Sequence, residues 1–341
     1  MNILATLAVL LALFATRAIM LPVVFGCLLA LTLRPIVRRL KRYGLPDLLG
    51  AVLTLGTLIA IISLCLANLI GPARHWVETL PQQMTQIHEK LDGVLGQFKD
   101  LAATAGKMED LANGKQAAHR PIPVEITQSR LSSNFAVISN TGNVVGGAFL
   151  VIAISFFVLV WGDGLLNNVL HLLNTLSDKK RTVELIYDLE QGIASYLLTV
   201  TAINFGLGVA TGLALWLLNV PNAALWGVMA MLFNYIPVFG ALAGFVIIAI
   251  VSILAFDSLA YATIPPLVFI GLTSFESNFI TPSVLGKSMS LNPILVFLAL
   301  IFWGWIWGIG GAFLAVPLLA ITKLACDRFE KTRPFAVLME A

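Results

Sequence analysis

One carboxylate stands inside an apolar stretch of this sequence. Glu276 follows "FIGLTSF" and precedes "SNFI", and hydropathy places it within an apolar segment at 259–280. A carboxylate inside lipid costs about 2.5–3.5 kcal/mol on insertion scales, so its side chain needs a partner or water. Two roles fit this position equally: coupling to an ion or a proton, and a structural buried hydrogen bond. If the helix ends early, Glu276 is an ordinary glutamate at the membrane interface.

Three further polar side chains accompany Glu276 as candidates for lining a solute or ion pathway. Asn278 follows it in the same segment, Asn234 interrupts another apolar stretch at "NYIPVFG", and Lys287 follows in "GKSMSLNP". Lys287 could also extend its charged end to the membrane surface or simply mark the inner face. Asp163 comes after Trp161 and Gly162 at a predicted cytoplasmic helix end, where we interpret it as a boundary residue.

Helix breakers interrupt two apolar stretches, 222–256 and 293–323, and the polar segment between them. Irregular backbone at membrane depth survives only where protein or a watery cavity satisfies it. Both stretches therefore predict re-entrant hairpins or discontinuous helices, which several transporter folds use to build a midplane site. The alternative is that every arm crosses the membrane fully, with small residues serving helix packing. The breakers are Pro237, Gly240, Pro282, Gly286, Pro293, Gly308, Gly310, Gly311 and Pro317.

The composition is that of an integral membrane protein. Hydrophobic residues make up 58% of the 341 residues and charged residues only 11%, against about 25% charged in soluble domains. A net charge of +3 gives no indication of nucleic-acid binding. The sequence contains no Walker loop, no G-x-S-x-G, no H-E-x-x-H and no Cys/His metal spacing, so we expect neither an enzyme nor a bound cofactor or metal.

Hydropathy predicts an all-α, polytopic membrane protein with about eight hydrophobic segments. Basic residues cluster at 34–42, at 179–181 and at 323–333, and the positive-inside rule places all three clusters in the cytoplasm. This pattern predicts a multi-pass membrane protein with both termini cytoplasmic. Only Thr16 and Arg17 separate the first two segments, which form either a tight hairpin or one long tilted helix. The apolar segments are 3–16, 18–33, 48–70, 143–161, 197–218, 222–236, 238–256, 259–280 and 293–323.

Three domains follow from this order: membrane helices at 1–70, an exterior amphipathic region at 71–142, and a C-terminal transport domain at 143–341. The last contains a predicted cytoplasmic amphipathic helix at 176–196, and 103–130 is predicted to be loop. The exterior region carries a 3.5-residue apolar repeat typical of coiled coils. This repeat predicts either a helix lying on its own membrane domain or self-association into a homo-oligomer. Its members are Leu80, Met84, Ile87, Leu91, Val94, Phe98 and Leu101.

Two long motifs resemble the autoinducer-2 exporter family of bacterial membrane permeases. They are "NYIPVFGALAG" and "ESNFITPSVLGKSMSLNPILVFLALIFWGWIWGIGGAFLAVPLLAI", and the order of segments matches over nearly the whole chain. The first motif departs from the family's Pro-aromatic-Gly-Pro pattern because Ala241 replaces the second proline. The resemblance implies export of a quorum-sensing furanone in the namesake protein, sodium/proton antiport in some relatives, and an oligomeric assembly.

Three hypotheses remain open at this stage. The first is a secondary transporter that exports a small metabolite or signalling molecule, driven by an ion gradient, with the two hairpin tips and the Glu276 segment lining the pathway. The second is a sodium or other cation/proton antiporter in which Glu276 titrates. The third is a non-transporting membrane scaffold that uses the helix at 80–101. The expected partners are the lipid bilayer, a small-molecule or ion substrate, and further copies of the chain.

Overall fold

The computed structural model describes residues 2–110, 133–171, 175–285, 291–328 and 332–339. Every element in these ranges is helical, which confirms the predicted all-α fold. The elements are α1 (Asn2–Ala15), α2 (Arg17–Arg42), α3 (Asp47–Asp110), α4 (Ser133–His171), α5 (Leu176–Leu217), α6 (Ala223–Phe233), α7 (Phe239–Ala255), α8 (Leu259–Ala262), α9 (Ile264–Phe275), a π-helical turn (Glu276–Ile280), α10 (Thr281–Leu285), α11 (Pro293–Arg328) and α12 (Arg333–Leu338).

The described residues contain 6 helices that are long and apolar enough to cross a membrane. Two shorter apolar helices, α6 and α7, lie between the fourth and the fifth of them. Much of each long helix is exposed in the isolated chain, as expected where lipid replaces water as the solvent. The six candidate spans are Arg17–Arg42, Asp47–Thr79, Val145–Asn168, Thr182–Leu217, Leu259–Leu285 and Pro293–Asp327.

The joint between α1 and α2 continues the helix without reversing the chain. The Thr16 N–H donates to Ala12 O at 2.9 Å, and the Met20 N–H donates to Thr16 O at 2.9 Å. Thr16 itself has φ −89° and ψ 6°, which interrupts the helix at a single residue. Of the two alternatives for the first pair of segments, the structure therefore favours one long, kinked helix over a tight hairpin.

Helix α3 is a single helix of 64 residues that runs from the second candidate span through the whole predicted heptad segment. It continues to Asp110, so the prediction of loop across 103–130 is wrong for residues 103–110. The small and polar residues there do not break the helix, because alanine favours helix and the remaining residues carry only modest penalties. Residues 111–132 lie outside the described part, as do the side chains of the heptad positions.

Helix α5 fuses the predicted amphipathic segment at 176–196 with the membrane span that follows it. The fused helix runs for 42 residues from Leu176 to Leu217. Packing changes along its length: Gly208 and Gly212 bring it close to Gly227 of α6, and a Cβ built on Gly227 would lie 2.6 Å from the Gly208 carbonyl oxygen. Small residues let two helix backbones approach in this way within a membrane. Helix α5 is therefore a rigid wall against which the first hairpin packs.

The first broken stretch is a helical hairpin. Helix α6 ends at Phe233, a break occupies residues 234–238, and α7 begins at Phe239. A Cβ on Gly240 would overlap the carbonyl oxygen of Phe233, although residues seven apart lie about 10 Å apart along a straight helix. The chain therefore turns sharply, and glycine is required at the point of closest approach.

The second broken stretch reverses inside α11, at Gly308. This residue has φ 65° and ψ −146°, a backbone conformation open essentially to glycine alone. A Cβ on Gly304 would lie 4.0 Å from the Cβ of Ala312, whereas residues eight apart in a straight helix lie about 12 Å apart. A Cβ on Gly311 would overlap the Trp303 carbonyl oxygen. The arms 293–307 and 309–328 thus form a second hairpin closed by glycine.

We predict that Gly311→Ala destabilises the protein strongly. The added methyl group overlaps a backbone oxygen that cannot move without opening the hairpin, so the loss should reach or exceed the 1–3 kcal/mol typical of overpacking. The measurement is the Tm of the purified protein in detergent. Gly271→Ala is the matched control, because a Cβ at that exposed α9 position meets nothing within 4 Å. A Gly311→Ala protein as stable as Gly271→Ala would contradict the closed hairpin.

Candidate functional site

Two polar pairs fasten the break of the first hairpin to α5. The Asn234 Nδ2 donates to Asn204 Oδ1 at 2.8 Å, and the Tyr235 hydroxyl donates to Thr201 Oγ1 at 2.9 Å. Asn204 is only 2% exposed, and its own Nδ2 finds no hydrogen-bond partner among the described residues. A buried amide with an unused donor is costly, so this group stands ready to bond to an oxygen that enters the break.

The tip of the break is strained. Val238 has φ 65° and ψ −58°, and the Phe239 N–H donates across it to Pro237 O at 2.7 Å, which defines a γ-turn of the rare positive-φ kind. A β-branched residue in this conformation costs about 1–3 kcal/mol and persists only where neighbouring structure holds it. Such strain is typical of functional sites, so the first hairpin tip is a candidate functional segment.

The second hairpin holds that strained tip from two sides. The Tyr235 ring lies 6.3 Å from the ring of Phe313, which belongs to the returning arm of α11. The Phe239 ring stacks on Phe297 of the outgoing arm, with ring centres 6.3 Å apart and planes 11° apart. These contacts seat the break of one hairpin between the arms of the other. Two segments that are far apart in sequence therefore build one site.

Glu276 is buried, as its position in an apolar segment predicted, with 7% of its surface exposed. It opens a π-helical turn, an irregularity that is frequent at functional sites. The Thr281 hydroxyl donates to Glu276 Oε1. The Ser277 hydroxyl lies 3.2 Å from Oε2 and 2.9 Å from the Thr273 carbonyl oxygen, and its single hydrogen is shared between these two acceptors. Among the described side chains, no Lys, Arg or His forms an ion pair with this carboxylate. Among the described residues, the Glu276 carboxylate is therefore stabilised by side-chain hydroxyl groups and not by a cationic side chain.

A cavity of about 530 Å³, here called the central cavity, lies where these segments meet. Its wall combines the first hairpin tip, the π turn, both arms of the second hairpin and Tyr196 of α5. The hydroxyl groups of Ser277 and Thr281 face an otherwise largely apolar lining, which is the pattern of a small-molecule site. The lining residues are Tyr196, Pro237, Val238, Ser277, Thr281, Pro282, Leu285, Leu291, Pro293, Val296, Phe297, Leu300 and Val316.

A second cavity of about 560 Å³, here called the side cavity, lies between α5 and the segment from Leu272 to Val284. Glu276 is the one ionisable residue in its lining, which is otherwise apolar apart from Thr199. Glu276 thus stands in the wall between the two cavities: its carboxylate lines the side cavity, while its two hydroxyl partners line the central one. In the described part of the chain, no cluster of His, Cys, Asp or Glu is placed to hold a metal ion.

The structure places the other predicted pathway residues and helix breakers in different surroundings. Asn278 is exposed, and its Nδ2 donates to Ser274 O of its own helix at 2.8 Å, so it lines neither cavity. Lys287 and Gly286 lie outside the described residues. The helix that contains Glu276 continues through the π turn and past Pro282 to Leu285, five residues beyond the predicted end of the segment at 280. Pro282 directly follows the π turn, as the second residue of α10.

The two hairpin tips lie in different surroundings, and the prediction that both line one pathway stays a prediction. Only the first tip, at Pro237 and Val238, reaches the central cavity. The second tip lies against the α1–α2 joint, where the Trp307 Nε1 donates to Leu13 O at 3.2 Å. The arms of the second hairpin, rather than its tip, therefore contribute to the site. Pro293 lines the cavity on one arm, and Pro317 is buried inside the other.

A charged cluster that the sequence did not reveal joins α2, α4 and α5. Arg34 Nε lies 2.8 Å from Glu190 Oε1, and Arg34 also pairs with Asp163. Arg38 Nη2 lies 3.3 Å from Glu190 Oε2, and its guanidinium lies 5.3 Å from the Tyr187 ring. Glu190 is 6% exposed. Asp163 is therefore more than a boundary residue, and only the tertiary fold brings these four charges together.

Comparisons with known proteins give one consistent family. The model of the AI-2E transporter family matches residues 3–331. The AI-2 transport protein TqsA of Escherichia coli (strain K12) is 25% identical over 321 residues, which cover 94% of this chain and 89% of that protein. YrrI of Bacillus subtilis (strain 168) is 25% identical over 323 residues, which cover 93% and 88% respectively.

We predict that Glu190→Gln destabilises the protein by about 1.5–3 kcal/mol, because it removes one of the two carboxylates that pair with the largely buried Arg34 guanidinium and leaves Asp163 as the other. The measurement is thermal unfolding in detergent. Glu184→Gln is the matched control: it breaks the exposed Lys180–Glu184 pair at 3.9 Å, and such pairs contribute about 0–1 kcal/mol. Equal Tm values for the two variants would show that the cluster contributes no more than a surface pair.

Proposed function

This chain belongs to the AI-2E transporter family, and from that premise we propose that it exports a small polar or amphiphilic metabolite, driven by an ion gradient, with the solute bound in the central cavity. The observation that carries the proposal is the meeting of the strained first tip, the hydroxyl groups beside Glu276 and both arms of the second hairpin around a cavity of about 530 Å³. A volume in this range is ordinary for small-molecule sites.

The solute class follows from the lining. Tyr196, Ser277 and Thr281 can donate or accept hydrogen bonds, while the other side chains that line the cavity are apolar. A ligand with a few oxygen atoms on a compact carbon framework fits this arrangement best. The name of the similar TqsA states AI-2 transport, so a furanone signalling molecule is the first solute to test on this chain.

We propose that Glu276 couples the solute to a proton or a cation. While the carboxylate is free, the Thr281 hydroxyl donates to it, and the Ser277 hydroxyl divides its one hydrogen between the carboxylate and the Thr273 carbonyl oxygen. Proton or cation binding from the side cavity neutralises the charge and weakens both bonds, which releases the hydroxyls toward a solute in the central cavity. The strained turn at Val238 supplies the element that can change conformation when the cavity fills.

A cation/proton antiporter is the second candidate, and one observation favours it. The carboxylate of Glu276 and the hydroxyl oxygens of Ser277 and Thr281 converge within hydrogen-bond distance, and hard cations prefer such oxygen ligands. In this version the side cavity admits the ion, and the same carboxylate carries either the cation or the proton. The two candidates share the residue and differ in whether an organic solute moves.

A membrane scaffold is the third candidate, and the length of α3 favours it. The helix continues from Thr79, the end of its candidate span, to Asp110, which corresponds to about 46 Å of further helix. A helix of that length with a heptad repeat can bind a partner or a second copy. The scaffold becomes the leading function if the purified protein moves no solute and no ion.

For the whole molecule, we propose the bacterial inner membrane, with the basic turn at 34–42 and the C-terminal basic cluster in the cytoplasm. The C-terminus is then cytoplasmic, as the sequence predicts. Helix α1 continues α2 without a reversal at Thr16, which favours an N-terminus on the other side of the membrane from that turn. Labelling of single cysteines at Asn2 and Tyr43 with a membrane-impermeant reagent tests this arrangement directly.

We predict that Glu276→Gln abolishes accumulation of the solute driven by an ion gradient. Counterflow, in which solute inside exchanges for solute outside, should be retained. Glutamine keeps the shape of the side chain and one acceptor oxygen, replaces the other oxygen by an NH2 donor, and cannot take up a proton. The measurements are autoinducer-2 accumulation and counterflow, and sodium-driven proton movement, in proteoliposomes. Glu78→Gln, which changes an exposed carboxylate on α3, is the matched control.

The outcomes separate the three candidates. Wild-type autoinducer-2 counterflow with loss of accumulation in Glu276→Gln supports coupled export. Sodium/proton exchange without movement of autoinducer-2 supports the antiporter. If sodium/proton exchange survives in Glu276→Gln, this residue does not couple the two ions. If the wild type moves neither autoinducer-2 nor ions in any of these assays, the membrane scaffold becomes the leading function.

We further propose that the chain forms a homo-oligomer through the heptad segment at 80–101. Replacing Ile87 and Leu91 with lysine places charges in the apolar repeat, so the oligomer should dissociate. The measurement is the mass of the detergent-solubilised protein by light scattering. The same substitutions at Gln83 and Gln86, between the apolar positions, should leave the mass unchanged. An unaltered mass in the Ile87/Leu91 variant would rule out this interface.

A further inference from the structure

The side cavity, between α5 and the segment from Leu272 to Val284, combines a single carboxylate with an apolar wall. Glu276 is the one ionisable residue in its lining, and Thr199 is the one other residue there with a polar side chain. Every other residue in the lining is apolar. A path for a proton or a small cation would not need such a wall, so the apolar lining calls for a different occupant.

The side cavity opens toward lipid. Its wall is built from two candidate membrane spans, Thr182–Leu217 and Leu259–Leu285. At its edge, Phe275 is 55% exposed and Val284 is 57% exposed in the described chain. On the α5 side, a Cβ built on Gly206 would meet nothing within 4 Å, so the space beside that helix is open. Because apolar side chains exposed along a membrane span face hydrocarbon, a lipophilic molecule can enter this cavity from the bilayer.

The Glu276 carboxylate has capacity for one more donor. Glu276 is 7% exposed, and none of the ion pairs among the described side chains includes it. An ionised carboxylate offers about four lone-pair sites, of which the Thr281 hydroxyl and the shared Ser277 hydrogen use only part. A buried carboxylate at membrane depth is stabilised most by an opposite charge. A cationic donor in the side cavity would supply that charge.

The lining favours an organic cation over an inorganic one. Hard cations such as Ca²⁺ and Mg²⁺ take about six or more oxygen ligands, whereas the side chains of this lining offer only the carboxylate and the Thr199 hydroxyl. The two hydroxyl partners of Glu276 line the central cavity instead. An organic ammonium ion requires fewer polar partners, because its N–H groups donate to the carboxylate while the apolar wall covers its hydrocarbon body.

We propose that the side cavity binds a lipophilic ammonium ion, which enters from the bilayer and pairs with Glu276. The ammonium group lies at the carboxylate, and the compact apolar body fills the open space beside Gly206. The volume of about 560 Å³ is ordinary for a small-molecule site. A bound amine occupies the carboxylate that the proposed coupling to a proton or cation uses. The site itself follows from the geometry of the cavity and does not depend on the transport proposal.

The experiment measures equilibrium binding of radiolabelled 1-adamantanamine and, separately, 1-adamantanol to the full-length protein in phosphatidylcholine nanodiscs, without an ion gradient. The two probes share one hydrocarbon cage and differ in an ammonium or a neutral hydroxyl group; uptake by empty nanodiscs is subtracted. We expect saturable binding of the amine and at least about tenfold weaker binding of the alcohol, since hydrogen bonds to charged groups carry that much affinity. In Glu276→Gln the amine should bind at least about tenfold more weakly and lose its advantage over the alcohol. Glu78→Gln, at an exposed carboxylate on α3, should bind both probes as the wild type does.

A second variant tests whether the amine binds in the side cavity. Gly206→Leu fills the open space beside α5 and leaves Glu276 and the lining of the central cavity unchanged, so both probes should bind about tenfold more weakly. Gly271→Leu, at an equally open glycine of α9 outside the lining, should bind both as the wild type does. The proposal is overturned if the wild type shows no saturable binding of the amine, if the alcohol binds as tightly, or if Glu276→Gln or Gly206→Leu binds the amine as the wild type does. A protein that binds the amine in this way and moves no solute supports the site while contradicting the transport proposal.

Discussion

The structure depends on one constraint: backbone groups at membrane depth have no water to bond to, so each break in a helix must be closed against protein. Two hairpins meet this constraint in the same way. Gly240 brings the start of α7 against the Phe233 carbonyl, and Gly311 brings the returning arm of α11 against the Trp303 carbonyl. The break of the first hairpin is then held by hydrogen bonds to α5 and by ring contacts to both arms of the second. The central cavity is the space that this mutual closure leaves.

The same closure determines where charge can be placed. Glu276 stands in a π turn between two cavities and bonds to hydroxyl groups on its own helix. In the N-terminal half of α5, Glu190 forms ion pairs with Arg34 and Arg38 of α2. One continuous helix thus contacts the candidate coupling site along its middle and is anchored to the N-terminal helices by ion pairs.

Family membership and geometry answer different questions about this protein. The match over residues 3–331 establishes a transporter family and leaves the solute, the direction and the driving ion as proposals. The geometry narrows them, because a cavity with few hydroxyl groups and an apolar wall selects compact, oxygen-bearing solutes. It also places one carboxylate where an ion and a solute could both reach its surroundings. In the proposed mechanism, coupling therefore depends on Glu276 and its two hydroxyl partners.

The sequence by itself determined the all-α membrane fold, both broken stretches, the burial of Glu276 and the resemblance to the family. Hydropathy, the positions of glycine and proline, and long local motifs indicate these features. Only the tertiary structure decided that one hairpin tip, not two, reaches the cavity, that the helix continues past Glu276 to Leu285, and that Asp163 and Glu190 share two arginines. Asn204 and Thr201 are polar residues within an apolar helix, and the sequence did not indicate that they would bond to the first hairpin. Contacts between residues 30 to 129 positions apart depend on how the helices pack, and no local pattern encodes that packing.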